Sequence, residues 1–278
     1  MRFRAKIVDN TCIKQFLNIV TVVSKLSKSC ILRITGDCLV FIVPDENTIP
    51  RRTVLWAVLE QNGFFEHYDM VGVNAADANN EIFLEFNISL LASILSNVKV
   101  ARSIKMKLTH KTFPALTVEI ELSSQNYAEN QVCVHEIPIT VLPLQIWREY
   151  KQPDIVEYDV VIESPPLRKV KNIVDKLKQL SDKITISATN TGLFSLGVNT
   201  IPCTVKTLFR NLSVDHSNCS KSSANALVET KRLAQFLTCE LMHAGKEICY
   251  IVSGNLIHWY LEQKTLQLHY YLTTTLDD

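Results

Sequence analysis

One order of apolar patterns runs twice through this chain of 278 residues, and that repetition limits its fold more than any other feature. Alternation with a period of two marks strands, and spacing near 3.6 marks amphipathic helices. In the first half RFRAKIVD (2–9) alternates. Residues 11–27 then carry helical spacing, with Ile13, Phe16, Leu17, Val20 and Val23 on one face and Thr11 as the expected cap. CILRIT and LVFIV follow, parted by the tight-turn signal Gly36-Asp37. VLWAVLE, HYDMVGV and EIFLEF read as strands, 88–98 as a short helix, and SIKMKLT with ALTVEIEL as a hairpin. The second half begins with the strand EYDVVIE and a helix over 166–180, then KITISAT, GLFSLGV and CTVKTLF as strands. A polar, Ser-rich loop over 211–225 leads to a strand-helix unit at 226–240 and to the strands KEICYIV, LIHWYLE and TLQLHYY. Residues 137–157 hold Pro138, Pro143 and Pro153 and read as a connection. The expectation is an α+β chain of two similar domains, 1–136 and 158–278, joined by 137–157.

The bulk numbers remove several classes. MRFRAKIVD has no apolar core of a signal peptide, so none is expected, and no apolar run approaches the ~18 residues of a membrane span. The eight cysteines lie scattered without a C-x-x-C pair, which points to free thiols and not to a disulfide frame or a zinc site. Charge is balanced, 29 Lys plus Arg against 28 Asp plus Glu. Any electrostatic footprint for a polyanion is therefore local.

The helices carry such a local signal. At ~100° per residue, Lys14, Asn18, Thr21, Lys25 and Lys28 fall on one stripe of the first helix, which has no acid. Over 166–180, Val170, Ile173, Val174, Leu177 and Leu180 face the core. Arg168 stands at the opposite pole, Lys171 and Lys178 line one flank, and Lys169 and Lys176 the other. Near 230–240, Lys231, Gln235 and Thr238 share a face with Arg232 beside it. The helix at 88–98 shows Ser89, Ser93, Ser96 and Asn97, with Lys99 and Arg102 just after it. An ordinary solvated helix mixes signs, because i,i+4 Glu–Lys pairs support it. Here bases and small neutral groups dominate four helices at matching places. The alternative, a set of plain solvated faces, holds for any one helix alone. The sheets serve as a control. Pairing SIKMKLT with ALTVEIEL so that positions sum to 226 sets Lys105 opposite Glu121 and Lys107 opposite Glu119, a balanced surface. Lysines without base-reading partners imply sequence-independent, salt-sensitive contact with nucleic acid.

Other chemistry has less support. No H-E-x-x-H, G-x-x-x-x-G-K-[ST], G-x-G-x-x-G or G-x-S-x-G is present, so no cofactor is expected. A turn at Gln263-Lys264 would set His258 across from His269, beside Tyr260 and Gln267, but a metal site needs further ligands. Cys133 and His135 share one strand face, which is more often surface than catalysis. No catalytic residue and no metal ligand is therefore assigned.

RFRAKIVDN (2–10), LTHKTFPALTVEIEL (108–122) and HEIPITVLPLQIW (135–147) closely resemble the hydroxyurea-sensitive (Hus) subunit of the nine-one-one checkpoint clamp. FLEFN with SIKMKL, ISATNTGLFSLGVNT, RLAQFL (232–237) and KTLQLHYYL (264–272) are similar too, so the likeness spans nearly the full length. The resemblance implies the sliding-clamp fold of the proliferating cell nuclear antigen. In that fold two like domains per chain put sheets outside and helices inside, and one chain forms a third of a pseudo-sixfold ring. It further implies a nuclear, non-catalytic subunit that joins two different clamp subunits, the radiation-sensitive pair. A clamp loader would place the ring on double-stranded DNA at damage or stalled replication, where it recruits checkpoint and repair proteins. By position, Lys14, Lys25, Lys28, Arg168, Lys171, Lys178, Lys231 and Arg232 are implied to face DNA, and Lys99 and Arg102 are counted with them. Ile137, Ile139 and Leu142 fall on the family's docking segment, with local packing as the plain alternative. Ring closure is expected through ALTVEIEL and CTVKTLF. The alternatives are a self-assembling homotrimeric clamp of the replication type, or an α+β enzyme unrelated to nucleic acid.

Overall fold

Strand β1 (Arg2–Ile7) buries Phe3, Ala5 and Ile7 and turns Arg2, Arg4 and Lys6 the other way, as the pleat of a strand requires. Helix α1 (Asn10–Leu26) follows after one turn of chain. Its cap is Asp9, not the expected Thr11. The Asp9 carboxylate accepts from the amides of Thr11 at 2.8 Å and Cys12 at 2.9 Å. Those bonds hold the carboxyl below the usual aspartate range. Such a cap stabilises a helix by about 1 kcal/mol. The helix buries Cys12, Ile13, Phe16, Ile19, Val20, Val22 and Val23. A computed structural model of the chain describes residues 1–45, 53–73, 80–96, 101–122, 131–153, 155, 157–201 and 203–275.

The described chain divides into two units. Unit 1 is Met1–Gln152 with Lys264–Leu266, and unit 2 is Pro153–Gln263 with Gln267–Asp278. In unit 1, β2 (Ser29–Ile34), β3 (Cys38–Pro44) and β4 (Thr53–Glu60) precede a single turn, α2 (Gln61–Phe64), and β5 (His67–Val71). Then come β6 (Ile82–Asn87), α3 (Ile88–Ser96), β7 (Ala101–His110), β8 (Pro114–Leu122) and β9 (Gln131–Val141). These strands lie in the order β4-β3-β2-β6-β9-β8-β7-β1-β5, with every described pairing antiparallel. Long β9 serves two neighbours. It pairs with β8 over Gln131–Pro138 and with β6 over Ile139–Val141. The β7–β8 register differs from the expected one by two residues, so Lys105 stands opposite Glu119 and Ser103 opposite Glu121.

The segment expected as a connection begins as strand and ends as core. A 3-10 turn at Leu144–Glu149 lays Trp147 and Tyr150 into a buried cluster with Ile31, Val40, Ile42, Trp56, Phe83 and Leu142. Trp147 stacks on Phe83 at 4.6 Å, and its Nε1 donates to the Leu142 carbonyl at 2.9 Å. Arg33 covers the cluster. Its guanidinium lies 5.8 Å from the centres of Trp56 and Phe83 and forms a two-pronged pair with Glu81 at 2.6 and 2.8 Å.

Unit 2 repeats the order with one strand fewer. It holds β10 (Val160–Glu163), α4 (Leu167–Leu177), β11 (Lys183–Thr189), β12 (Phe194–Asn199), β13 (Thr204–Phe209) and β14 (Ser223–Glu229). α5 (Thr230–Phe236) continues into a 3-10 turn at Leu237–Met242, and β15 (Lys246–Val252), β16 (Leu256–Gln263) and β17 (Leu266–Thr273) follow. One sheet runs β10-β15-β16-β17 and the other β13-β12-β11-β14. Phe236 joins helix to sheet, stacked on Tyr270 at 4.3 Å and beside Trp259 at 5.2 Å. Gly192, at φ +82°, turns the chain between β11 and β12. A Cβ there would come within 2.5 Å of the Leu212 carbonyl oxygen, so a side chain would collide with backbone.

Candidate nucleic-acid interface

In each unit the helices pack on one another: α1 against α3, and α4 against α5 and its 3-10 extension. The cations expected to face DNA are carried by these helices and their ends, but two different arrangements hold them.

On α1 the charge is unshared. The helix has no acid in its 17 residues. Lys14, Lys25 and Lys28 are exposed and make no ion pair among the described residues. Lys28 lies just past the helix, where its carbonyl accepts from the Ile88 amide at 3.0 Å and ties the start of α3 to the end of α1. On α4 and α5 much of the charge is shared. Lys171 bonds Glu240 of the 3-10 turn at 2.9 Å and lies 3.9 Å from Asp175. The Glu240 carboxylate holds its ammonium above the usual lysine range. Lys178 caps the C-terminus of α4, where the helix dipole favours a cation, and pairs with Asp175 at 3.0 Å. Arg232 pairs with Glu229 at 3.2 Å. Arg168 and Lys231 are exposed and make no ion pair among the described residues. The helix ends at Leu177, so Leu180 is 47% exposed and not a core residue as its spacing suggested. Arg102 stands on strand β7, 4.0 Å from Glu121, and Lys99 lies outside the described residues.

The expected docking residues are mostly core. Ile137 is buried opposite Leu116 on β8, because it falls on the inward side of β9. Leu142 is buried in the Trp147 cluster, and Ile139 is half-buried. Among the described residues the large apolar side chain this segment exposes is Leu144. The expected edge strand ALTVEIEL is internal, since β8 has β7 on one side and β9 on the other. Among the described residues the Gln131–Pro138 stretch of β9 has no second partner strand, and β13 ends its sheet, as β5, β10 and β14 end theirs. β9 exposes Val132 (56%) and Val134 (57%), and β13 exposes Leu208 (43%). The alternation in QVCVHEIP is the sequence signal of β9.

The expected pairing of His258 and His269 is present: Nε2 of the first lies 3.0 Å from Nδ1 of the second. Tyr158 Oη is 3.1 Å from His258 Nδ1, and Tyr250 and Tyr271 stack on the His258 ring. Burial, with the neighbouring His269, pushes His258 down to about 3, and burial pushes His269 down to about 4. Both imidazoles are thus neutral at pH 7. Among the described residues no three His, Cys, Asp or Glu side chains gather as metal ligands.

Comparison with known proteins gives these features a context. Residues 1–276 match the family model of Hus1-like proteins. Human "Checkpoint protein HUS1" is 35% identical over 98% of this chain and 99% of its own length. "Checkpoint protein hus1" of Schizosaccharomyces pombe is 31% identical over 76% of this chain and 70% of its own. Among solved structures, proliferating cellular nuclear antigen of Entamoeba histolytica aligns at TM-score 0.73 and 14% identity, covering 99% of both chains. The corresponding antigen of Thermococcus kodakaraensis aligns at 0.69 and 14% identity, covering 98% of this chain and 99% of its own. These two show the sliding-clamp fold alone. Matched along almost its whole length by the family model and by the human protein, the chain belongs to the Hus1-like family.

Proposed function

We propose that this Hus1-like chain, a checkpoint clamp subunit, closes a ring with two different clamp chains around double-stranded DNA. The ring serves there as a platform for checkpoint and repair proteins. The observation that carries the reading is the set of exposed cations on or beside the helices that have no acid partner among the described residues: Lys14, Lys25 and Lys28 in unit 1, and Arg168 and Lys231 in unit 2. A flexible ammonium contacts phosphate oxygens without reading bases, so the ring holds any sequence and can move along it. Lys171, Lys178 and Arg232 share their charge with acids and act as weaker contacts. The open edges of β9 and β13 are where strands of neighbouring subunits add, which also covers edges that would otherwise invite aggregation. The subunit supplies a scaffold, not a reaction, and it works in the nucleus, where its DNA is. Leu144 and half-buried Ile139 are the apolar contacts left for partners on the connecting segment.

Co-expression with candidate clamp chains tests this. The expected outcome is a 1:1:1 complex that a clamp loader places on circular DNA and that slides off when the circle is cut. A stable homotrimer formed by this chain alone would overturn the heterotrimeric reading. A complex released from closed and cut circles alike would overturn encirclement.

A further inference from the structure

A second charged surface lies on unit 1, on the side of its sheet away from the core. There β1 shows Arg2, Arg4 and Lys6, and adjacent β7 shows Lys105 and Lys107. The register sets Arg4 directly opposite Lys107 and Lys6 directly opposite Lys105. Like charges so placed destabilise a sheet. Three of the cations have acids to offset this: Arg2 with Asp69 at 3.1 Å, Lys6 with Glu66 at 2.5 Å and Lys107 with Glu119 at 2.5 Å. Arg4 and Lys105, on the diagonal between them, are exposed and bond to no acid among the described residues. Acids border the strip on both sides, with Asp69 on β5, Glu119 and Glu121 on β8, and Glu136 on β9.

We propose that this strip is a docking surface for an acidic, extended segment of a partner protein. Same-face side chains recur about every 6.8 Å along a strand. Carboxylates at alternate positions of an extended peptide repeat at that spacing, so one peptide meets Arg4 and Lys6, or Lys105 and Lys107. The width also selects. Cations occupy two adjacent strands, roughly 5 Å apart, and acids stand on the strands outside them. A single peptide fits between those acidic borders, whereas a duplex would bring its phosphates over them. The strip is separate from the helices, so it stands or falls independently of the ring.

The test compares the wild-type chain with R4Q/K105Q and with R4E/K105E. Binding is read by anisotropy of a fluorescein-labelled Glu-Ser repeat peptide, with a Gln-Ser repeat as control. The wild type binds the acidic peptide and not the control, in a salt-sensitive way. Each double variant binds roughly tenfold more weakly or worse, as loss of two exposed ion pairs allows. R4Q/K105Q melts near the wild-type temperature, because Gln removes the like-charge positions Arg4–Lys107 and Lys6–Lys105 together with the opposite-charge positions Arg4–Asp69 and Lys105–Glu119. Unchanged peptide binding in folded variants would overturn the proposal. So would a lower melting temperature in both, which would make Arg4 and Lys105 structural. Equal loss of binding to a short DNA duplex, with no preference for the peptide, would assign the strip to nucleic acid and overturn it as well.

Discussion

The two units repeat one order of elements but differ in how much of the charge on their helices is shared with acids. In unit 1, Lys14 and Lys25 on α1, Lys28 just past it, and Arg4 and Lys105 on the sheet face are exposed and make no ion pair among the described residues. In unit 2, α4 and α5 tie Lys171, Lys178 and Arg232 to Glu240, Asp175 and Glu229, and the sheet keeps two imidazoles neutral under stacked tyrosines. The difference teaches that an apparent cationic face is not one quantity. A lysine already bonded to a carboxylate has less to offer a phosphate. On the proposed function unit 1 makes the stronger contact with DNA, and the two buried histidines make unit 2 sensitive to acid.

The largest expected effect sharpens what belongs to unit 1. Trp147→Ala removes a buried indole stacked on Phe83 and leaves the Leu142 carbonyl without its donor. It should cost about 3–5 kcal/mol in urea unfolding, with accelerated amide exchange in β2, β3, β4 and β6 and none in α4 or α5. Exchange spread evenly over both units would break the division between them.

Acid should separate the units next. His258 and His269 have folded values of about 3 and about 4, against 6.5 for an ordinary histidine. The folded state thus takes up these protons less readily than the unfolded chain. The stabilisation is whole above pH 6.5 and is lost as pH falls through 6.5 toward those values. At pH 5 the loss is about 2 kcal/mol per imidazole. Amide exchange at pH 5 and 7.5, corrected for intrinsic rates, should show β16 and β17 opening in acid while α1 does not. Substituting both histidines with Gln should flatten the dependence.

The electrostatic contrast is tested on DNA. Replacing Lys14, Lys25 and Lys28 with Ala in the assembled ring should lower the slope of log K against log salt by about 2.7, at 0.9 per phosphate contact. Replacing Lys171 and Lys178 should lower it by less than about 1.8, because their charge is shared. The exposed changes at Lys14, Lys25 and Lys28 shift stability by under about 0.5 kcal/mol each. Equal slopes per lysine on α1 and α4 would erase the distinction. The smallest effect is the converse one. Glu240→Gln releases Lys171, costs at most about 1 kcal/mol of stability, and should raise the slope by up to about 0.9.

The periodicities of the sequence determined most of the elements, their order and which side of each is buried, with β9 and the 3-10 turn after it as the exceptions. Phe3, Ala5 and Ile7 had to face one way and Arg2, Arg4 and Lys6 the other, because consecutive side chains of a strand point to opposite faces. The acid-free stripe of α1 was legible for the same reason, since its positions are set by the turn of one helix. The pairing of His258 with His269 followed from one hairpin turn. What lay beyond local spacing was decided only in three dimensions. Lys171 meets Glu240 across 69 positions of chain, and Trp147 meets Phe83 across 64, by subtraction of their numbers. The register of hairpin β7–β8 differs by two residues from the expected one, because a shift of two keeps every side chain on its face and local spacing does not choose between the two. Strand β9, not β8, became the open edge because partners on both sides of a strand are a property of the sheet. Local geometry repeats within a few residues and can be read from them. Which charges are neutralised, and which edges stay open, depends on groups that only folding brings together.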